Sequence, residues 1–169
     1  MRLREMTEED LPQVLELQRE LAFQDWNEKE FQSEIRANYA YCVVCEEECG
    51  EDDGKSRGPS SPNGKLLGYA IFHLLGSDSE LLSIATKESE QRKGIGSRLL
   101  HAGLDKLTEP DDQCFLEVRD GNTKARAFYE KHGFQLYNAR KNYYSDGEDA
   151  ALYVKSSKFK VTEATASQS

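Results

Sequence analysis

No apolar run approaching 18 residues occurs in this 169-residue sequence, which gives no expectation of a transmembrane helix. The opening residues Met1-Arg2-Leu3-Arg4-Glu5 turn acidic too early for a secretory signal, so a cytoplasmic location is the default expectation. No basic stripe is present, and direct nucleic-acid binding is not expected. Cysteine is scarce: Cys42, Cys45, Cys49 and Cys114. The first three are spaced like zinc ligands, yet no histidine or fourth cysteine lies beside them. The odd spacing of Cys42 and Cys45 along a strand also sends them to opposite faces. The expectation is therefore no metal and reduced thiols. His73, His101 and His132 are scattered and read as structural or exposed. No internal repeat is visible.

What is present suits one soluble domain with a real core: 37% hydrophobic and 31% charged residues exclude wholesale disorder. The formal net charge is −9, but Glu46, Glu47, Glu48, Glu51, Asp52 and Asp53 account for six of those charges, and without them it is −3. The imbalance is local and says little about a partner. Those acids open a polar, Gly/Pro/Ser-rich connection over residues 47–64, read as an insertion in a single domain spanning 1–159. Residues 160–169 form a polar tail.

Periodicity and punctuation give the order β-α-α-β-β-β-α-β-α-β-β, an α/β domain with a mixed sheet. Strands are expected at residues 2–5, 39–46, 65–75, 80–86, 114–118, 134–140 and 150–159. A hairpin turn is expected at 76–79. Thr7 caps a first helix whose apolar face is Leu11, Val14, Leu15, Leu17 and Leu21. Asn27 caps a second, with Glu30 reaching back and Trp26 and Phe31 forming a hydrophobic staple. Later helices are expected over 94–107 and 123–132, the last ended by Gly133.

The strand end Ile84-Ala85-Thr86 leads through a polar loop to Gln91-Arg92-Lys93-Gly94-Ile95-Gly96 at a helix start. Unpaired N–H groups and the helix dipole favour an anion there, glycines permit close backbone approach, and Arg92 and Lys93 add positive charge. It is not a Walker loop, because no Gly-Lys-Ser/Thr follows.

Gln91-x-x-Gly94-x-Gly96 resembles the motif with which the GNAT superfamily binds the pyrophosphate of acetyl-CoA. Leu116-Glu117-Val118-Arg119-Asp120-Gly121-Asn122 and Ala125-x-x-Phe128-Tyr129-Glu130-Lys131-His132-Gly133-Phe134 resemble that family's second signature. The segment Arg140-Lys141-Asn142-Tyr143-Tyr144-Ser145-Asp146-Gly147-Glu148-Asp149-Ala150 looks like the tail of the protein N-terminal acetyltransferases, above all the bacterial ribosomal-protein alanine N-acetyltransferases. Ala22-Phe23 with Trp26 resembles their early helix-loop. The resemblance spans roughly residues 2–156. It implies a GNAT fold, a mostly antiparallel seven-stranded sheet flanked by about four helices. It also implies acetyl-CoA as cosubstrate, held by Ile84, Ala85, Thr86, Gln91, Arg92, Lys93, Gly94, Ile95, Gly96, Ser97 and Asn122. Two features depart from the family pattern: the 47–64 insertion, and Lys87-Glu88-Ser89-Glu90 where a Pro and an aromatic residue are usual. An acid at Glu90 beside a phosphate loop is unfavourable unless it points outward.

Acetyl transfer to an amine requires a neutral amine and a protonated leaving thiolate. An α-amine near pKa 7.7–8.0 loses its proton at neutral pH for only about 1 kcal/mol, whereas a lysine near 10.4 needs nearly 5. Glu117, beside Phe115 on its strand, is the candidate base, directly or through water. The resemblance assigns the same role to that position and makes Tyr129 the acid that protonates the CoA sulfur. Asn122 reads as an N-cap, and the family adds a pantetheine contact. Tyr143 and Tyr144 are implied to wall the acceptor's first residues, with Trp26 expected at the opposite wall. The implied activity is acetylation of a protein N-terminus, with the N-terminal alanine of a ribosomal protein as the implied acceptor and no membrane partner. Acetylation of a lysine or small-molecule amine, or a non-catalytic CoA-binding subunit, are the alternatives.

Overall fold

Residues 1–22, 24–48 and 64–156 are described by a computed structural model. Phe23, Cys49, most of the acidic insertion, the strand end expected at 157–159 and the polar tail lie outside the described residues. Seven strands form one mixed sheet in the order β1-β2-β3-β4-β5-β7-β6, with four α-helices. One mixed sheet with four helices places the chain in the α/β class. The chain divides into two compact units, Met1–Phe72 with Ser83–Gly103, and His73–Leu82 with Leu104–Ser169.

In the first unit β1 (Arg2–Glu5) pairs antiparallel with β2 (Ala40–Glu46). A 3₁₀ turn at Glu8–Asp10 precedes α1 (Leu11–Leu21), so the helix starts later than Thr7 suggests. Pro12 suits the first turn, where its missing N–H costs nothing. α2 (Glu28–Arg36) starts as expected. Asn27 Oδ1 accepts from the Glu30 N–H at 3.0 Å, Glu30 Oε2 accepts from the Asn27 N–H at 2.7 Å, and Trp26 packs on Phe31 with ring centroids 5.3 Å apart. Leu11, Val14, Leu17, Phe31, Tyr69 and Leu99 are buried within this unit. Cys42 and Cys45 are buried thiols, and burial, aided by Glu34 and Glu5, pushes the Cys42 thiol up to about 12. No metal-holding group of His, Cys, Asp or Glu occurs among the described residues.

A buried ionic cluster ties β1 to the start of α1 and the end of β2. Arg4 Nη2 donates to Asp10 Oδ1 at 2.7 Å and to Glu46 Oε2 at 2.9 Å, and Arg2 Nε donates to Glu46 Oε1 at 3.0 Å. The Asp10 and Glu46 side chains are only 1% and 4% exposed, so neither carboxylate is solvated without its arginine. Arg4→Met is expected to destabilise the protein by about 3–5 kcal/mol, read by urea unfolding, because it leaves buried charge uncompensated. A loss below 1 kcal/mol would reject that account. Burial works to raise the Glu46 pKa, but Arg4 and Arg2 outweigh it, and the result lies below the ordinary 4.5. The contribution is therefore present above pH 4.5 and fades as the pH falls through the lowered value, less steeply in Arg4→Met.

β3 (Leu66–Leu75) and β4 (Asp78–Thr86) run through both units. Their hairpin turns on Gly76-Ser77 alone, tighter than the four residues expected. Gly76 takes φ +80°, and Asp78 and Ser79 already pair with the neighbouring strand. In the second unit β5 (Gln113–Arg119) pairs parallel with β4 over Asp78↔Gln113 to Glu80↔Phe115. β7 (Ala150–Ser156) pairs with β5 along its whole length. From Leu116 onward, the ladder partners of β5 among the described residues are on β7 only. α4 (Thr123–Lys131) and the edge strand β6 (Gln135–Arg140) complete the unit. No helix among the described residues is long and apolar enough to cross a membrane.

Candidate active site

The first unit carries the anion loop. β4 ends in Ile84, Ala85 and Thr86, and Gln91 Nε2 donates back to the Thr86 carbonyl at 3.4 Å, closing the loop base. α3 spans Ile95–Leu104, and its first bond runs from the Arg98 N–H to the Gly94 carbonyl at 3.0 Å. N–H groups in its opening turn, those of Ile95 and Gly96 among them, therefore have no partner within the helix. Gly94 takes φ +81° with open space around its missing Cβ, so the backbone angle demands glycine there and steric clearance does not. Arg92 also has a positive φ, 67°, an uncommon conformation for a side-chain-bearing residue. Glu90 does not point away into solvent: its carboxylate, 18% exposed, accepts from Lys93 Nζ at 3.0 Å. One acid of the loop thus neutralises one of its two cations, leaving Arg92 exposed at the rim.

Trp26 lies in the same unit, half-buried, with its backbone N–H and carbonyl both bonded to the Gln18 amide at 3.2 and 2.7 Å. Its packing on Phe31 accounts for its position.

The second unit carries Glu117. Burial alternates along β5: Cys114, Leu116 and Val118 are buried, while Phe115, Glu117 and Arg119 stand on the half-exposed face. An open cleft of about 210 Å³ is lined on that side by Phe115, Glu117, Glu80, Asp78, Tyr137 and Arg140. Glu117, 27% exposed, faces Arg140 Nη1 at 3.5 Å. Hydrogen bonding to Glu117, with the carboxylate's charge and some burial, raises the Tyr143 phenol above its ordinary pKa. Tyr143 and Tyr144 meet edge to face at 5.1 Å, Arg140 lies over Tyr143 at 5.4 Å and Arg119 over Tyr144 at 4.0 Å. Arg119 also binds Asp146 at 2.8 Å across the turn closed by Gly147 at φ +87°. The tyrosine pair is thus pinned over the end of β5 by alternating guanidinium and aromatic planes.

Asn122 caps α4, its Oδ1 accepting from the Ala125 N–H at 3.2 Å. Of the adjacent aromatics on that helix, Tyr129 is the buried one at 8% exposure and Phe128 is half-buried. Tyr129 packs on Phe128 and Phe134 at 5.4 and 5.8 Å. Burial first, and then the nearby Cys114 thiol, raise its pKa well above the ordinary phenol value. The Cys114 thiol itself is pushed up to about 12, chiefly by burial. Tyr129 therefore attends the buried face of β5, and Glu117 the half-exposed face. The structure brings Glu117, Tyr143 and Tyr144 together.

Sequence reasoning did not single out Arg140 or Tyr137. The ladder between β6 and β7 shifts register between Leu136 and Asn138, leaving Tyr137 as an extra residue whose ring meets Phe115 at 5.9 Å. No glycine marks this bulge.

The profile of the acetyltransferase (GNAT) family matches residues 11–134. The ribosomal protein bS18-alanine N-acetyltransferase of Escherichia coli (strain K12) is 30% identical over 146 residues, which cover 85% of this chain and 88% of that one. The crystal structure of the ribosomal-protein-S18-alanine N-acetyltransferase from Escherichia coli matches with a TM-score of 0.73 at 28% identity, over 92% of each chain. Arabidopsis thaliana NAA60 in complex with acetyl-CoA matches with a TM-score of 0.75 over 92% of this chain and 97% of that one, and at 14% identity this is a likeness of fold.

Proposed function

Because the chain belongs to the acetyltransferase (GNAT) family, we propose that this N-acetyltransferase acts on the α-amino group of a protein N-terminus, with a ribosomal protein's N-terminal alanine as the leading acceptor. The observation that carries this reading is the 30% identity, along 85% of the chain, to a ribosomal protein bS18-alanine N-acetyltransferase. Acetyl-CoA brings the acetyl group as a thioester. Its pyrophosphate suits the loop Gln91 to Gly96, where N–H groups of the α3 start and the exposed Arg92 favour an anion. Lys93 and Ser97 border the same loop, Ile84, Ala85 and Thr86 at the end of β4 are further cofactor contacts, and Asn122 contacts the pantetheine arm. Glu117 removes the amine proton, directly or through water. Tyr129 supplies a proton to the leaving sulfur, and Tyr143 and Tyr144 wall the acceptor's first residues, with Trp26 a further acceptor contact. A cytoplasmic setting belongs to the same proposal.

The test is incubation of the protein with acetyl-CoA and two lysine-containing peptides starting with alanine, one with a free and one with a blocked α-amine. Acetylation only of the free peptide, located at its first residue, is the expected result. Equal turnover of both peptides through lysine would replace this reading with a side-chain acetyltransferase. Acetyl-CoA binding without turnover of any amine would leave a non-catalytic subunit.

A further inference from the structure

Arg140 takes no part in the proposed proton transfers, yet its guanidinium faces Glu117. Its position depends on one residue. On β7, Leu152 lies opposite Glu117 of β5 and opposite Asn138 of β6, and Ala150 lies opposite Arg119 and Arg140. Residues directly opposite in a ladder share a face, so Arg140 and Glu117 stand on the same side of the sheet. Without the extra residue at Tyr137, Ala139 would take the place opposite Ala150. Arg140 would then turn to the other face. The bulge re-aims the arginine, a use to which bulges beside active sites are put. The contact it makes is loose: 3.5 Å, one guanidinium nitrogen to one oxygen, with the Arg140 side chain 56% exposed. The ring of Tyr143 limits the guanidinium's excursion.

We propose that Arg140 is a positioning residue that competes with the acceptor's ammonium for Glu117. The inference rests on Glu117 as the base. Before the acceptor arrives, Arg140 holds the carboxylate in the cleft. A protonated amine entering the cleft must share Glu117 with this fixed cation, which disfavours the ammonium and favours the neutral amine. The ammonium gives its proton to the Glu117 carboxylate, leaving a carboxylic acid and a free electron pair on nitrogen. That pair forms the new bond to the acetyl carbon as the carbon–sulfur bond breaks; the sulfur takes the Tyr129 proton and leaves as a thiol, and the second proton shed by the nitrogen restores the phenol. Arg140 touches neither reacting atom and acts only through Glu117.

Removing ground-state repulsion lowers kcat and KM together, a pattern that a merely structural arginine does not give. Arg140→Met is expected to lower kcat and the peptide KM together, each about fivefold, at pH 7, with the acetyl-CoA KM unchanged. Arg140→Lys, which keeps the charge, should restore most of both. A raised peptide KM in Arg140→Met, an unchanged kcat, or an Arg140→Lys variant as impaired as Arg140→Met would each overturn the proposal. Glu117→Gln in the same assay separates the two readings. If it retains wild-type rates, the base assignment fails. If it is slow while Arg140→Met is normal, only the inference about Arg140 fails.

Discussion

Glu117→Gln is expected to lower kcat/KM for an N-terminal peptide about 100-fold at pH 7, the lower range for a lost general base. The substitution keeps the shape of the side chain and its neighbours Arg140 and Tyr143, so acetyl-CoA binding should be unaltered. The deficit should also depend on pH in a particular direction. An α-ammonium with a pKa of about 7.7–8.0 is mostly protonated at pH 7 and mostly neutral at pH 9. Solvent thus does by pH 9 what the carboxylate does at pH 7, and the deficit should shrink to about tenfold. A lysine acceptor, near 10.4, is still mostly protonated at pH 9, so its deficit would go on falling above that pH instead of levelling off. The measurement is initial rate against pH for both enzymes on one peptide. A deficit that stays constant from pH 7 to 9 would mean that Glu117 does something other than accept the amine's proton.

Much of this arrangement is written in short-range chemistry. The Asn27–Glu30 box and the Trp26–Phe31 staple are contacts between residues a few positions apart, and the sequence states both partners. The alternation along β5 likewise places Glu117 beside Phe115 without reference to the rest of the chain. Gly94 was legible as a loop glycine, although its backbone angle and not its bare α-carbon is what the loop requires. The features missed depend on register or on side-chain choice between near-equal options. Arg140 meets Glu117 only because β6 gains one residue at Tyr137, and nothing in Leu136-Tyr137-Asn138 announces a bulge. Glu90 could in principle face water, but Lys93 three residues later captures it. Phe128 and Tyr129 sit about 100° apart on a helix, and only the packing of Phe134 and Cys114 decides which one is buried.

Tyr129→Phe is expected to lower kcat about 100-fold while leaving stability close to wild type. The stability half follows from the packing: the ring contacts with Phe128 and Phe134 involve carbon atoms that phenylalanine retains. The kinetic half follows from proton affinity. A raised pKa keeps the phenol protonated throughout the neutral range, ready to donate. A phenol above 10 is a poor donor to an ordinary thiolate near 8.5, since the transfer runs uphill by at least about 2 kcal/mol. The surroundings remove that difficulty. The Cys114 thiol beside Tyr129 is held up at about 12 mainly by burial, which shows how strongly this environment disfavours a thiolate. A CoA sulfur expelled where water is likewise excluded would be raised in the same direction, which offsets the mismatch. The need for Tyr129 should therefore scale with the basicity of the leaving thiolate. An acetyl thioester of an acidic aryl thiol, which departs without help, should be turned over by wild type and Tyr129→Phe at rates within a few-fold of each other, while acetyl-CoA retains the full deficit. Equal deficits with both donors would show that the hydroxyl aids binding or packing instead of protonating sulfur.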